Sequence, residues 1–241
     1  MYFEAGSSGN LTYAADAGAG TAGNTYSYGT GTAAERAFGE LTTNLVQSTI
    51  ASCVVNRPGK MTSFDIGYTG EQWRLGAADA SIDRLDFQYS LNAATAVDPA
   101  ATWIDVDALD FTTPNNTTAG AKDGNAASNR TVIAPVRIEP ETPIPPEGTL
   151  FFRWVPVDIT GEDDGLAIDD FSFSAHTECN MDIDNNGEVD ALTDALILLR
   201  ATFGFTGAVV TTNALGPGAK RTSWSEIQTY LNSSCGTDFA P

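Results

Sequence analysis

The sequence predicts a mainly β protein: a jelly-roll or Greek-key β-sandwich with a small α-helical, EF-hand-like unit at its C-terminal end. Three observations carry that expectation. From about residue 45 to 173, short runs alternate apolar with other residues, the period of strands that bury one face. Spacers rich in turn formers separate the runs, at Thr113–Thr117, Glu139–Glu141 and Pro145–Gly148. Beyond residue 190 the period becomes helical, through Ala195–Leu199 and then Ile227, Tyr230 and Leu231.

Taken in order, residues 1–35 are rich in Gly, Ser, Thr and Ala, with Tyr2, Phe3, Tyr13, Tyr26 and Tyr28 spaced among them. That composition reads as an extended N-terminal leader. If ordered, it is a strand that needs a sheet, its own or a neighbouring subunit's. Residues 36–177 form the sandwich. Phe64, Ile66 and Tyr68 alternate, as do Leu85, Phe87, Tyr89 and Leu91; further strands fall at 103–106, 131–137, 149–154 and 166–173. The long connections favour a crossing path over a meander. Leu166 and Ile168 share one face while Phe171 and Phe173 take the other, so a β-bulge beside Asp169-Asp170 is expected. Residues 178–241 form the helical unit, whose second helix opens with the capping box Ser223-Trp-Ser-Glu226.

The 241 residues are 42% apolar, enough for a substantial core, and carry a formal net charge of −19. Lys60, Lys122 and Lys220 are the only lysines. Nucleic acid and anionic membranes are therefore poor partners. Such a surface fits a secreted or cell-surface protein in calcium-containing or saline water. No stretch reaches transmembrane length, and the first residues lack the basic start and apolar run of a signal peptide. Cys53, within the apolar run Ile50–Val55, is expected as a buried strand residue rather than a nucleophile.

The most informative stretch is Asp182-Ile-Asp184-Asn-Asn186-Gly187-Glu188-Val-Asp190. It sets side-chain oxygens at positions 1, 3, 5 and 9 of a loop with glycine at position 6, the spacing of an EF-hand calcium loop, and an all-oxygen set suits a hard cation. The plainer alternative is a solvated acidic turn before a helix. The usual bidentate acid at position 12 is missing: Thr193 stands there, and Asp194 comes one residue late.

This stretch, with the Leu-rich run and Phe203-Gly204 after it, resembles a dockerin-type calcium module of secreted bacterial proteins, over residues 179 to about 235. The resemblance implies that Asp182, Asp184, Asn186 and Asp190 bind calcium through side chains and Glu188 through its carbonyl, with Asp194 as the candidate closing ligand. A full dockerin has two loops, but residues 205–221 lack the carboxylates of a second, which puts cohesin binding in doubt. Cys179 and Cys235 flank the unit, and a disulfide between them would contribute about 4 kcal/mol by loop-closure entropy. The alternative is two free thiols.

Tyr68–Arg74, Asp83–Ser90 and Asp163–Phe171 together resemble a β-sandwich domain of large secreted bacterial proteins, over roughly residues 10–175. The closing Ile-Asp-Asp-Phe also resembles the last strand of carbohydrate-binding jelly rolls, a likeness of shape more than of sugar binding.

Catalytic sets are scarce. His176 is the single histidine, with no nearby nucleophile and no second histidine for zinc. Asp163, Asp164, Asp169 and Asp170 crowd four carboxylates into eight residues. They suit a second calcium site, or a turn with backbone-bonded acids, better than a glycosidase pair. Trp73, Trp103 and Trp154 suit core packing better than sugar stacking. The expectation is a non-enzymatic, calcium-stabilised structural protein that assembles with itself or another surface protein. A carbohydrate-binding module is the alternative, with polysaccharide as partner.

Overall fold

The computed structural model describes residues 1–10, 12–56, 60–78, 82–157 and 161–241. In chain order its strands are β1 (Tyr2–Ala5), β2 (Ala14–Asp16), β3 (Asn24–Tyr28), β4 (Ala37–Leu41), β5 (Gln47–Val55), β6 (Met61–Leu75) and β7 (Arg84–Ser90). Then come β8 (Ile104–Asp105), β9 (Phe111–Thr112), β10 (Gly120–Ala121), β11 (Arg130–Ile138), β12 (Thr149–Val157) and β13 (Gly165–Thr177). The helices are α1 (Asp194–Thr202), α2 (Ala208–Thr211) and α3 (Trp224–Cys235). The protein is mainly β, as the alternating runs predict.

Among the described residues the strands form two sheets. One runs β1-β5-β12-β7-β8 with β9 also on β7; the other runs β10-β6-β13-β4-β3-β2 with β11 also on β6. Strands β4, β5, β6 and β7 alternate between the sheets, so the path is no meander. Aromatic pairs lock one sheet to the other. Tyr68 of β6 meets Trp154 of β12 edge-on at 5.4 Å, and Phe64 of β6 meets Tyr89 of β7 at 5.6 Å. Trp73 and Trp154 are fully buried, as core residues.

The N-terminal segment needs no neighbouring subunit. Strand β1 pairs with β5 antiparallel, Tyr2 opposite Ile50. Strand β2 pairs with β3, which pairs with β4. Buried Glu4 pins the segment: its carboxylate accepts the N–H groups of Thr25 at 2.7 Å and Asn10 at 2.9 Å.

By contacts the chain divides into two units. The first comprises Met1–Asn56, Phe64–Ile138 and Glu147–Ser174; the second comprises Arg57–Ser63, Glu139–Pro146 and Ala175–Pro241. These bounds fall differently from spans of 1–35, 36–177 and 178–241. The N-terminal segment belongs with the sandwich, and two internal segments group with the C-terminal residues. Where a β-bulge is expected beside Asp169-Asp170, Asp170 has a left-handed φ of 49° within β13.

The second unit has its own core, in which Ile183, Ile197, Val210, Trp224, Ile227 and Leu231 are buried. Helix α3 starts on the expected box: Ser223 Oγ accepts the N–H of Glu226, whose carboxylate accepts that of Ser223. Cys179 and Cys235 form a disulfide, with Cα atoms 4.8 Å apart.

Candidate metal centre

The loop from Asp182 to Asp194 is built by its own carboxylates. Asp182 Oδ1 accepts the N–H of Asn186 at 3.0 Å, and Oδ2 accepts that of Gly187 at 2.9 Å. Both bonds require the chain to double back, which it does through Asn185 at φ 59° and Gly187 at φ 98°. Glycine adopts that conformation without a Cβ penalty. Asp184 Oδ1 accepts the N–H of Asn186 at 3.1 Å. Asn186 Oδ1 accepts that of Glu188 at 2.8 Å.

Asp194 closes the loop from the first turn of α1. Its Oδ1 accepts the N–H groups of Ile183 at 2.6 Å and Asp184 at 3.1 Å, and its Oδ2 that of Asp190 at 2.9 Å. Thr193 is the N-cap of that helix, without a side-chain cap bond. Oxygens of Asp182, Asp184 and Asp194 lie within 4.8 Å of one another, and all three residues are buried, Asp184 and Asp194 almost completely. Adjacent carboxylates repel, and a cation between them relieves that. Oxygen ligands at this spacing could hold calcium.

Of the other expected ligands, Asp190 is exposed, its Oδ1 accepts the N–H of Leu192 at 2.7 Å, and its carboxylate lies outside the buried three. Glu188 is also exposed, and the role expected of it is that of its backbone carbonyl. Asn186 is half-buried within the loop.

Residues 205–221 supply a frame that the search for a second loop does not reveal. Gly216 donates its N–H to Asp184 Oδ2 at 2.6 Å. The N–H groups of Lys220 and Arg221 both donate to the Asp184 carbonyl. The Arg221 guanidinium donates to the carbonyls of Asp182 at 2.6 Å and Ile183 at 2.7 Å, and lies 3.7 Å over the Tyr230 ring. Burial lowers the Arg221 pKa from its usual value, while the neighbouring acids oppose that shift. A lone arginine following a carboxylate-free stretch is the signal that sequence reading had to hand.

The four aspartates of the sandwich separate. Asp164 accepts from Thr113 Oγ1 at 2.5 Å and from the Gly76 N–H at 2.8 Å, a backbone-bonded role. Asp163 lines a cleft of about 410 Å³ with Arg74, Asn44 and Thr21. Asp170 accepts from Thr69 Oγ1 at 3.2 Å and pairs with Arg130 at 3.4 Å. Asp169 converges with Glu35 and Glu71 instead.

No protein-family model and no curated protein sequence matches the chain. Solved structures with a similar arrangement include the enzymatically active domain of tailspike protein 4 from bacteriophage CBA120. It is 10% identical with a TM-score of 0.35, over 73% of this chain and 19% of that one. The chain thus spans about a fifth of that domain's length. Another is the carbohydrate-binding module TmCBM61 in complex with β-1,4-galactotriose, 11% identical with a TM-score of 0.31, over 60% of this chain and 73% of that one.

Proposed function

We propose that the protein is a non-enzymatic extracellular or cell-surface structural module, whose C-terminal unit is a dockerin-like, calcium-held docking element. The observation that carries this reading is the convergence of the buried Asp182, Asp184 and Asp194 carboxylates on one point. Calcium there joins the loop to the start of α1, so binding is coupled to the order of the unit. The disulfide supports an oxidising compartment, and among the described residues no helix is long and apolar enough to cross a membrane.

Docking is supported by what this unit leaves exposed. Val189, Leu192, Leu199, Phe203, Phe205 and Val209 all stand open to solvent, Leu192 at 78%. So much apolar exposure on a small unit suits a partner surface. The partner is a copy of this chain or another surface protein. Strand β1 is already paired within its own sheet, so assembly falls to the C-terminal surface rather than to strand exchange.

Light scattering and electron microscopy of the full chain, with calcium and then with EGTA, test this. Assemblies that dissolve in EGTA and in a Leu192→Lys/Phe203→Lys double variant are expected. Monodisperse particles under every condition would remove the self-assembly reading.

One observation favours a carbohydrate-binding alternative. Tyr2, Tyr13 and Phe38 form a mutual edge-on cluster with ring centroids 6.0–6.3 Å apart, and Tyr13 is 59% exposed. It is the platform that a sugar would use, because Trp73 and Trp154 are buried and Arg153 covers Trp103 at 3.6 Å. Binding on a broad glycan array that is lost in Tyr13→Ala would favour it.

A further inference from the structure

A second group of carboxylates meets on the sandwich. Glu71 comes from β6, Asp169 from β13 and Glu35 from the segment just before β4; each offers an oxygen within 4.8 Å of the others. Glu71 is wholly buried. Its Oε2 accepts the Trp73 Nε1–H at 2.9 Å, but its Oε1 is buried with no hydrogen-bond partner among the described residues. A buried carboxylate oxygen without a partner is costly unless a cation or proton meets it.

The protein cation whose charge acts on Glu71 is paired elsewhere. Arg130 stands opposite Glu71 in the β6–β11 register, yet its Nη2 pairs with Asp170. Asp169 and Asp170 are successive residues of β13, and their carboxylates part. Asp170 turns to Arg130 and Thr69, and Asp169 joins Glu71 and Glu35. Asn125 Nδ2 holds Glu35 from outside, donating to its Oε2 at 2.7 Å.

We propose that Glu35, Glu71 and Asp169 hold a divalent cation of the calcium class, independently of the loop at 182–194. An all-oxygen set of three carboxylates selects a hard cation over zinc or copper. Exposed Glu35 leaves room for water to complete the coordination. The cation joins three separate segments of the sandwich and satisfies Glu71 Oε1. Burial raises the carboxyl pKa values of Glu71 and Asp169, and the Glu35 side chain adds to the second shift. A shared proton is thus the rival to the cation.

Calcium stoichiometry of the full chain by titration calorimetry, together with terbium luminescence excited through tryptophan, tests this. Trp73 is hydrogen-bonded to a ligand, so terbium at the site lies within sensitising range. An Asp184→Asn chain is expected to keep one calcium and the sensitised emission, which calcium displaces. In that background Glu35→Gln, at an exposed position where folding is safe, weakens calcium about tenfold or more, and Glu71→Gln abolishes emission. No calcium bound by Asp184→Asn, or unchanged affinity in Glu35→Gln, would overturn the proposal and leave the shared proton. A native chain that binds a single calcium, kept in Asp184→Asn and lost in Glu35→Gln, would instead uphold it while the loop reading fails.

Discussion

The Asp194 carboxylate accepts the Ile183 N–H at 2.6 Å, so an acid one residue past the usual closing position reaches back to the second residue of the loop. Thr193, at the usual position, caps α1 without a side-chain cap bond, and its Oγ1 donates to Asp194 Oδ2 at 3.3 Å. Asp194→Asn should therefore lower calcium affinity about 100-fold, whereas Thr193→Ala should change it less than threefold, since ligand charge sets affinity. Competition with a chromophoric chelator measures both. Equal losses would return the closing role to Thr193.

Calcium should also appear as stability. At a free concentration about 100 times Kd it adds about 2.7 kcal/mol to a unit that binds only when folded. Denaturant unfolding of the C-terminal unit in calcium and in EGTA should differ by that amount in the native chain. Asp184→Asn should show no such difference for the C-terminal unit.

Arg221 spans two loop carbonyls and stacks on Tyr230. Arg221→Ala leaves those carbonyls without their donors and should cost about 2 kcal/mol. Arg221→Lys should restore little, because an ammonium lacks the planar fork and the stacking face. Thermal melts of the two variants decide it; full rescue by lysine would reduce the role of Arg221 to charge alone.

Glu40 gives the sandwich a pH dependence of definite sign. It is buried, and Thr42 Oγ1 donates to it at 2.6 Å. Burial holds its carboxyl well above the usual range; the Thr42 bond opposes this, and the charges of Asp163, Asp83 and Asp164 add to it. The folded chain thus keeps a proton that the unfolded chain releases near pH 4.3. The stability Glu40 contributes is complete below that pH and falls as pH rises towards the raised folded pKa. Glu40→Gln should therefore be more stabilising, relative to the native chain, at pH 7 than at pH 4. Equal urea midpoint shifts at both would contradict this.

The disulfide closes a loop with a sequence separation of 56. Cys179→Ser/Cys235→Ser should destabilise the C-terminal unit by about 4 kcal/mol on the chain-entropy account. Urea unfolding without reductant measures it, and a change under 1 kcal/mol would show that the reduced chain is already ordered there.

What the sequence disclosed follows from the range of the interactions. The strands of Phe64–Tyr68 and Leu85–Tyr89 were legible because alternation is a local property, and both runs bury the predicted faces. The acidic loop was legible for the same reason, and the late acid Asp194 meets Asp182 and Asp184 there. The N-terminal segment was legible only as a strand in need of a sheet, because Gly, Ser, Thr and Ala give no alternation to fix its strands; Glu4 orders it through partners at Asn10 and Thr25. Gly216 and Arg221 reach the loop only through the fold of the second unit. Glu35, Glu71 and Asp169 meet only once β6 and β13 lie side by side and the chain enters β4. Asp169 groups with Asp170 in sequence, but successive strand residues face opposite ways, and the two acids part.

Hydrogen–deuterium exchange across residues 180–196, in calcium and in EGTA, tests the central claim most directly. The amides of Ile183, Asp184, Asn186 and Gly187 donate to the carboxylates that would ligate the ion. Their exchange should slow sharply in calcium and speed up in EGTA, with α3 less affected. The same exchange in both conditions would mean that the loop is held by its hydrogen bonds alone, and that calcium does not order this unit.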